Sequence, residues 1–136
     1  MKSQTTGGNS PQTPPVVNLE RAFGTFQECW SPRIAGEVNE MYVKLAKLQG
    51  EFVWHSHATE DELFLVIRGR LKMNLRAGAK EIGPGEFLIV PHGVEHCPQA
   101  LTDEVHVLLL EPKTTLNTGT ERNERTVETL KHLSSP

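Results

Sequence analysis

The stretch GEFVWHSHATEDELFLVIRG, residues 50–69, decides how the chain is read. FVWHSH (52–57) alternates as a strand does, ATED (58–61) interrupts it, and ELFLVIR (62–68) resumes as an apolar strand closed by Gly69. Residues two apart in a strand share a face, so His55 and His57 point the same way. On a helix they would diverge by about 200°. The polar ATED turns the chain back and sets Glu62 at the start of the next strand, beside His57. Two imidazoles and a carboxylate thereby converge through local structure alone, and that donor set suits borderline divalent metals such as Zn, Fe, Mn, Ni and Co. Glu60 and Asp61 compete for the acidic position. Glu62 is preferred because its face is shared with Phe64 and Val66, and the other two are read as turn residues.

A second cluster lies at GEFLIVPHGVEH, residues 85–96. Gly85 and Pro91 bracket a short apolar strand, Pro91 and Gly93 make a tight turn, and His96 opens the strand that follows. Whether His96 is a fourth ligand depends on the fold. One buried histidine is ordinarily a satisfied core residue. Several polar groups buried in one place are costly unless paired or bound to a metal.

Beyond these clusters, short apolar runs recur between turn residues: EMYVKLAKL (40–48), RLKMNLR (70–76), EFLIV (86–90) and EVHVLLLE (104–111). Their spacing predicts an all-β antiparallel sandwich or barrel. RLKMNLR sets Leu71, Met73 and Leu75 against Lys72, Asn74 and Arg76, so that strand has one wet face. AGAK, at 77–80, is read as the turn ending it. ELFLVIR and EVHVLLLE are apolar on both faces, more than one small barrel interior needs. The segment from Val16 to Trp30 adds Phe23, Phe26 and Trp30. Together they predict a two-fold homodimer in which this arm covers a neighbour's sheet edge.

With 136 residues the chain has the length of one domain. The expected organisation is a disordered leader over 1–15, N-terminal arm strands over 16–37, a barrel over 38–112 and a tail over 113–136. In the tail, Val127, Leu130 and Leu133 recur at helical spacing, so a short C-terminal helix and a frayed tail both remain open. A net charge of −3 without long blocks of like charge argues against a nucleic-acid groove or an anionic membrane surface. Cys29 and Cys97 form no CxxC pair, and a reducing cytoplasm fits them best. Alternation turns Cys97 away from the site, and Trp54 is read as packing, with a dimer contact as one use. No apolar run approaches the roughly 20 residues of a membrane span.

Gly50, His55, His57, Glu62 and Gly69, followed in phase by Gly85, Pro91, Gly93 and His96, resemble the two motifs of the cupin superfamily, small antiparallel jelly-roll barrels. The chain departs from the pattern by having four residues instead of five between Gly50 and His55, and by Ala100 where an asparagine is usual. The resemblance covers about residues 40–112, with 15 residues (70–84) between the motifs, as in bacterial single-domain cupins. It implies that His55, His57, Glu62 and His96 hold one divalent transition metal (Fe, Mn, Zn, Ni, Co or Cu) with one or two coordination positions open. It implies either a small metalloenzyme, a dioxygenase or an isomerase, epimerase or lyase acting on an oxygen-rich small molecule, or a non-catalytic metal- or sugar-binding module. The expected pocket walls are Met41 or Tyr42, Phe64, Val66, Met73, Phe87, Ile89 and Leu108. Tyr42, Lys44 and His106 are the candidates for a general base, with His106 equally placed on an outer face. His92 is expected in solvent and His132 inert.

Overall fold

The computed structural model describes residues 13–133. Residues 1–12 of the expected leader lie outside them. The elements run α1 (Leu19–Phe23), β1 (Arg33–Val38), β2 (Met41–Leu48), β3 (Glu62–Arg68), β4 (Leu71–Leu75), β5 (Gly78–Ile82), β6 (Phe87–Val90), β7 (His96–Ala100), β8 (Val105–Pro112) and β9 (Lys131–His132). Two sheets form, one in the order β6-β3-β8-β2-β1-β9 and one in the order β5-β4-β7. This is the jelly-roll barrel expected from the sequence.

The spine of the larger sheet is the antiparallel pairing of β2 with β8, in register from Met41↔Pro112 to Leu48↔Val105. Period-two alternation sorts both strands. Lys44, Ala46 and Leu48 from β2 face the barrel interior with Val105, Val107, Leu109 and Glu111 from β8. In β3 the inward set is Glu62, Phe64 and Val66, and the half-buried set is Leu63, Leu65 and Ile67. Leu71 and Met73 from β4 and Ile82 from β5 close the core from the smaller sheet. AGAK is only partly a turn, because β5 begins at Gly78 and pairs with β4 down to Leu71↔Ile82. Gly69 fixes the β3–β4 connection. Its φ is +86°, and a Cβ there would stand 2.6 Å from Thr102 Oγ1 and 2.7 Å from the Glu104 carbonyl oxygen.

The outer face of β2 and β8 is covered by the chain's own arm. Over 16–37, where arm strands are expected, the arm opens with α1, capped by Asn18, whose side chain accepts from Arg21 N at 2.9 Å, and runs on into strand β1. Ala22, Phe23 and Phe26 bury themselves with Leu45, backed by Leu108 and Ile67. The second apolar face of β3 and β8 thus has cover within one chain at Ile67 and Leu108.

Over 121–133 the described residues form neither the helix nor a frayed end, but a hydrogen-bonded tail. Side chains take the backbone groups a helix would need: Asn123 Oδ1 accepts from Arg125 N, Asn117 Oδ1 from Val127 N, and Asn117 Nδ2 donates to the Arg125 carbonyl. The tail ends in β9, parallel to β1 through Arg33↔Lys131 and Ile34↔His132.

Candidate metal centre

The segment carrying the first two histidines is not a continuous strand. It meets β7 through isolated bridges, Glu51↔Gln99 and His55↔His96. At the second, His55 N donates to the His96 carbonyl at 3.0 Å and His96 N to the His55 carbonyl at 2.9 Å. The two motifs are therefore joined directly, ligand opposite ligand, with ring centroids 4.2 Å apart. Gly93 N donates to the His57 carbonyl at 2.7 Å, tying the Pro-x-Gly turn beside the first motif. Glu62, at the head of β3, pairs with Val90 at the end of β6. Asp61 and Glu60 are engaged elsewhere: Asp61 Oδ1 accepts from the His92 backbone and faces its ring, and Glu60 accepts from Thr114.

His55, His57, Glu62 and His96 come together with ligand atoms all within 4.8 Å of one another. Their exposures are 4, 2, 5 and 0 %. Two donors on one ion at about 2.1 Å each stand at most about 4.2 Å apart, so a modest contraction closes the group on an ion. The ring tautomers fit that use. Nδ1 of His55 lies 2.9 Å from the Val53 carbonyl and Nδ1 of His96 lies 2.9 Å from the Val94 carbonyl. A carbonyl only accepts, so each Nδ1 carries the proton and each neutral ring keeps its Nε2 lone pair for an ion. His57 Nε2 and His96 Nε2 approach Glu62 Oε1 at 3.2 and 3.4 Å, but none of these three buried atoms has a partner with hydrogen-bond geometry. Orphaned buried polar atoms are rare in folded proteins, and three ligand-type groups of one cluster sharing the defect is what an ion repairs. Burial, then the neighbouring His96, pushes the His55 imidazole down to about 4. Burial raises the Glu62 carboxyl, and only positive charge at the His57 and His96 side of the cluster, which a bound ion would supply, pulls it low.

The group opens on a cavity of about 40 Å³ lined by Lys44, His55, Glu62 and Glu111 on its polar side and by Ala46, Phe64, Val107 and Leu109 on its apolar side. Lys44 Nζ and Glu111 Oε2 are 3.6 Å apart, each side chain 2 % exposed. Burial, and next the charge of Glu62, push the Glu111 carboxyl well up, with Lys44 pulling the other way. Glu111 escaped the sequence reading, although its signal was present: it shares the phase of Val105, Val107 and Leu109.

Of the three base candidates only Lys44 lines this cavity. Tyr42 shares its face but lines a separate surface recess with Lys113 and Thr115. His106 lies on the outer face, stacked on Phe23 at 4.4 Å with Nε2 2.7 Å from Glu104. Among the expected walls, Phe64 stands. Val66 and Met73 belong to the core and do not line the cavity, nor does Met41. Phe87 and Ile89 are 61 and 53 % exposed, because the Glu62↔Val90 register sends the even positions of β6 inward. Leu108 packs under the arm, out of phase with Leu109. Cys97 faces away from the cluster, buried beside Glu51. Trp54 is covered by the Arg76 guanidinium, 3.8 Å above its ring. His92 is exposed, as expected.

Residues 41–111 match the family model described as Cupin domain. The chain belongs to the cupin family. Among solved structures, the cupin resembles a cupin-2 domain containing protein from Shewanella frigidimarina, 41 % identical, covering 72 % of this chain and 95 % of that one with a TM-score of 0.70. Protein NMB1881 from Neisseria meningitidis is 26 % identical over 73 % of this chain and 100 % of that one, with a TM-score of 0.66. Among curated proteins, the Uncharacterized protein YdbB of Bacillus subtilis is 36 % identical over 61 residues, 44 % of this cupin and 54 % of that protein. The matched stretch thus spans about half of that relative.

Proposed function

We propose that this cupin holds one divalent transition-metal ion on His55, His57, Glu62 and His96 and acts as an enzyme on a small oxygen-rich organic molecule, as a dioxygenase or as an isomerase or lyase. The observation that carries this is the set of inward-facing atoms, His57 Nε2, His96 Nε2 and Glu62 Oε1, buried without hydrogen-bond partners. The ion supplies Lewis acidity, and redox capacity where it is Fe, Mn or Cu. The chain supplies the rest. The backbone bonds of His55 and His96 hold the rings in the ligating tautomer. Phe64 and Leu109 keep water scarce, and Lys44 and Glu111 set a buried charged pair on the wall that a bound molecule would touch. The four ligands leave room at an octahedral ion for two more donors, the arrangement a substrate needs.

The test is protein reconstituted separately with Fe(II), Mn(II) and Zn(II), assayed for bound equivalents and then for oxygen uptake and carbonyl isomerisation over a panel of hydroxy and keto acids. One equivalent with turnover of some member supports the enzyme. One equivalent with tight binding and no turnover supports the alternative, a non-catalytic binding module. Failure to bind any of the three ions contradicts both.

We further propose a homodimer. Its support has moved from the arm to edge strand β6, whose exposed Phe87 and Ile89 offer an apolar sheet edge. Light scattering showing a monomer at micromolar concentration would count against it. Cys29 and Cys97, both free, support the cytoplasm as the compartment. Among the described residues no helix is long and apolar enough to cross a membrane.

A further inference from the structure

Two lysines of β2 are buried, and they differ in what they touch. Lys47, on the outer face, donates from Nζ to the Phe26 carbonyl at 2.7 Å and lies over the Phe26 ring. It is a satisfied structural residue that pins the arm. Lys44, on the inner face, is 1 % exposed. Among the described residues its ammonium has Glu111 Oε2 at 3.6 Å and the Tyr42 ring at 5.8 Å, and no hydrogen bond. Glu111 Oε2 is itself buried without a hydrogen-bond partner. A buried ammonium with three donors and no acceptor at hydrogen-bond distance is expensive to keep. It borders the cavity onto which His55 and Glu62 also open.

Resting on the metal reading above, we infer that Lys44 anchors a carboxylate group of the molecule bound beside the ion. Charge balance favours an anion. A divalent ion and the Lys44 ammonium outweigh the Glu62 carboxylate beside neutral histidines, and they do so with or without a proton on Glu111, so the low-dielectric site keeps a net positive charge. A carboxylate offsets it. Size agrees: a cavity of about 40 Å³ has room for about three water-sized groups, the scale of one carboxylate head. Chemistry agrees as well, since a carboxylate offers the acceptors that Lys44 lacks, and an oxygen on the adjacent carbon suits the ion's open positions. The substrate class this points to is a small 2-hydroxy or 2-oxo acid. The apolar wall, Ala46, Val107 and Leu109 with Trp30 and Phe52, suits a small apolar remainder. Lys44 is thus a positioning and specificity residue, and its ammonium also selects against neutral analogues.

The experiment uses the full chain loaded with Zn(II), which is redox-inert, and titrates glycolate and its neutral counterpart glycolamide by calorimetry. Zinc content is measured on every sample. Wild type is expected to bind glycolate, and Lys44→Met to weaken it at least tenfold while zinc content and glycolamide affinity stay unchanged. Lys44→Met/Glu111→Gln removes both charges and guards against misfolding from an unpaired Glu111. It is expected to show the same loss. Unchanged glycolate affinity in a folded, zinc-loaded variant overturns the inference, as does zinc-loaded wild type that ignores glycolate. Wild type that takes up no zinc removes the metal reading and this inference with it, and the zinc measurement tells that failure from the other two.

Discussion

The two sides of the larger sheet are packed against the same kinds of buried polar residue and treat them differently. On the outer face, under the arm, each has a partner: Lys47 reaches the Phe26 carbonyl, His106 reaches Glu104, and Arg33 holds Glu28 and Ser31. On the inner face His57, His96, Glu62 and Glu111 keep polar atoms with no hydrogen bond at all. A polar group taken from water is costly when unsatisfied and nearly neutral when satisfied. The outer set therefore reads as architecture. The inner set reads as a site that carries its cost until something binds.

The largest expected effect separates the faces by stability. Phe23→Ala empties the outer cluster with Phe26 and Leu45 and should cost about 3–5 kcal/mol in urea unfolding. Metal affinity should stay unchanged, because Phe23 touches none of the four cluster residues. A fall in metal affinity would show that the arm and the site are not separable.

Acid should separate them by pH. His55 sits at about 4 in the fold against 6.5 ordinarily, so the fold favours its neutral form. The unfolded chain takes the proton first as pH falls. The His55 contribution, about 3 kcal/mol in the metal-free protein, is therefore complete above pH 6.5 and fades down to about pH 4. On the outer face Glu104 is held low by its bond from His106, so its contribution is kept above its ordinary 4.5 and lost only below. Denaturation of metal-free protein across pH 7 to 4 should show the first loss, and His55→Asn should abolish it.

A smaller effect tests where the tail touches the site. Gly119 has φ +60°, and a Cβ there would collide with the Ser56 carbonyl oxygen and lie 3.3 Å from His57 Nδ1. Thr120 N donates to that same carbonyl at 3.1 Å. Gly119→Ala should cost about 1–3 kcal/mol and weaken metal binding, because the ligand segment must shift. Unchanged melting and metal affinity would show that the tail yields instead.

Much of this contrast was legible in the sequence wherever alternation had a phase to read. His55, His57 and Glu62 were found because strand period and one turn suffice to gather them, and β4 because its polar face marks its register. Phase was lost where both faces are apolar. FLIV offers no clue that Leu88 and Val90 point inward, so Phe87 and Ile89 were misplaced on the pocket wall. In β8 His106 could take either face until Phe23 was seen to cover one. Glu111 was readable by phase and was overlooked at the end of an apolar run. Helix α1 carried a local signal in its Asn18 cap, whereas the tail depends on Asn117 bonding backbone eight and ten residues away, which local spacing does not encode.

The direct measurement is metal content, by plasma mass spectrometry, of His57→Ala beside His106→Ala, each with its thermal melt. One buried histidine from each face is removed. His57→Ala should lose most of its metal, its affinity falling by more than the roughly 10–100-fold that outer-shell partners cost, while still melting cooperatively on its apolar core. His106→Ala should melt lower and keep one equivalent. Full occupancy in His57→Ala, or equal loss in the two variants, would contradict the assignment of the inner face as the metal centre.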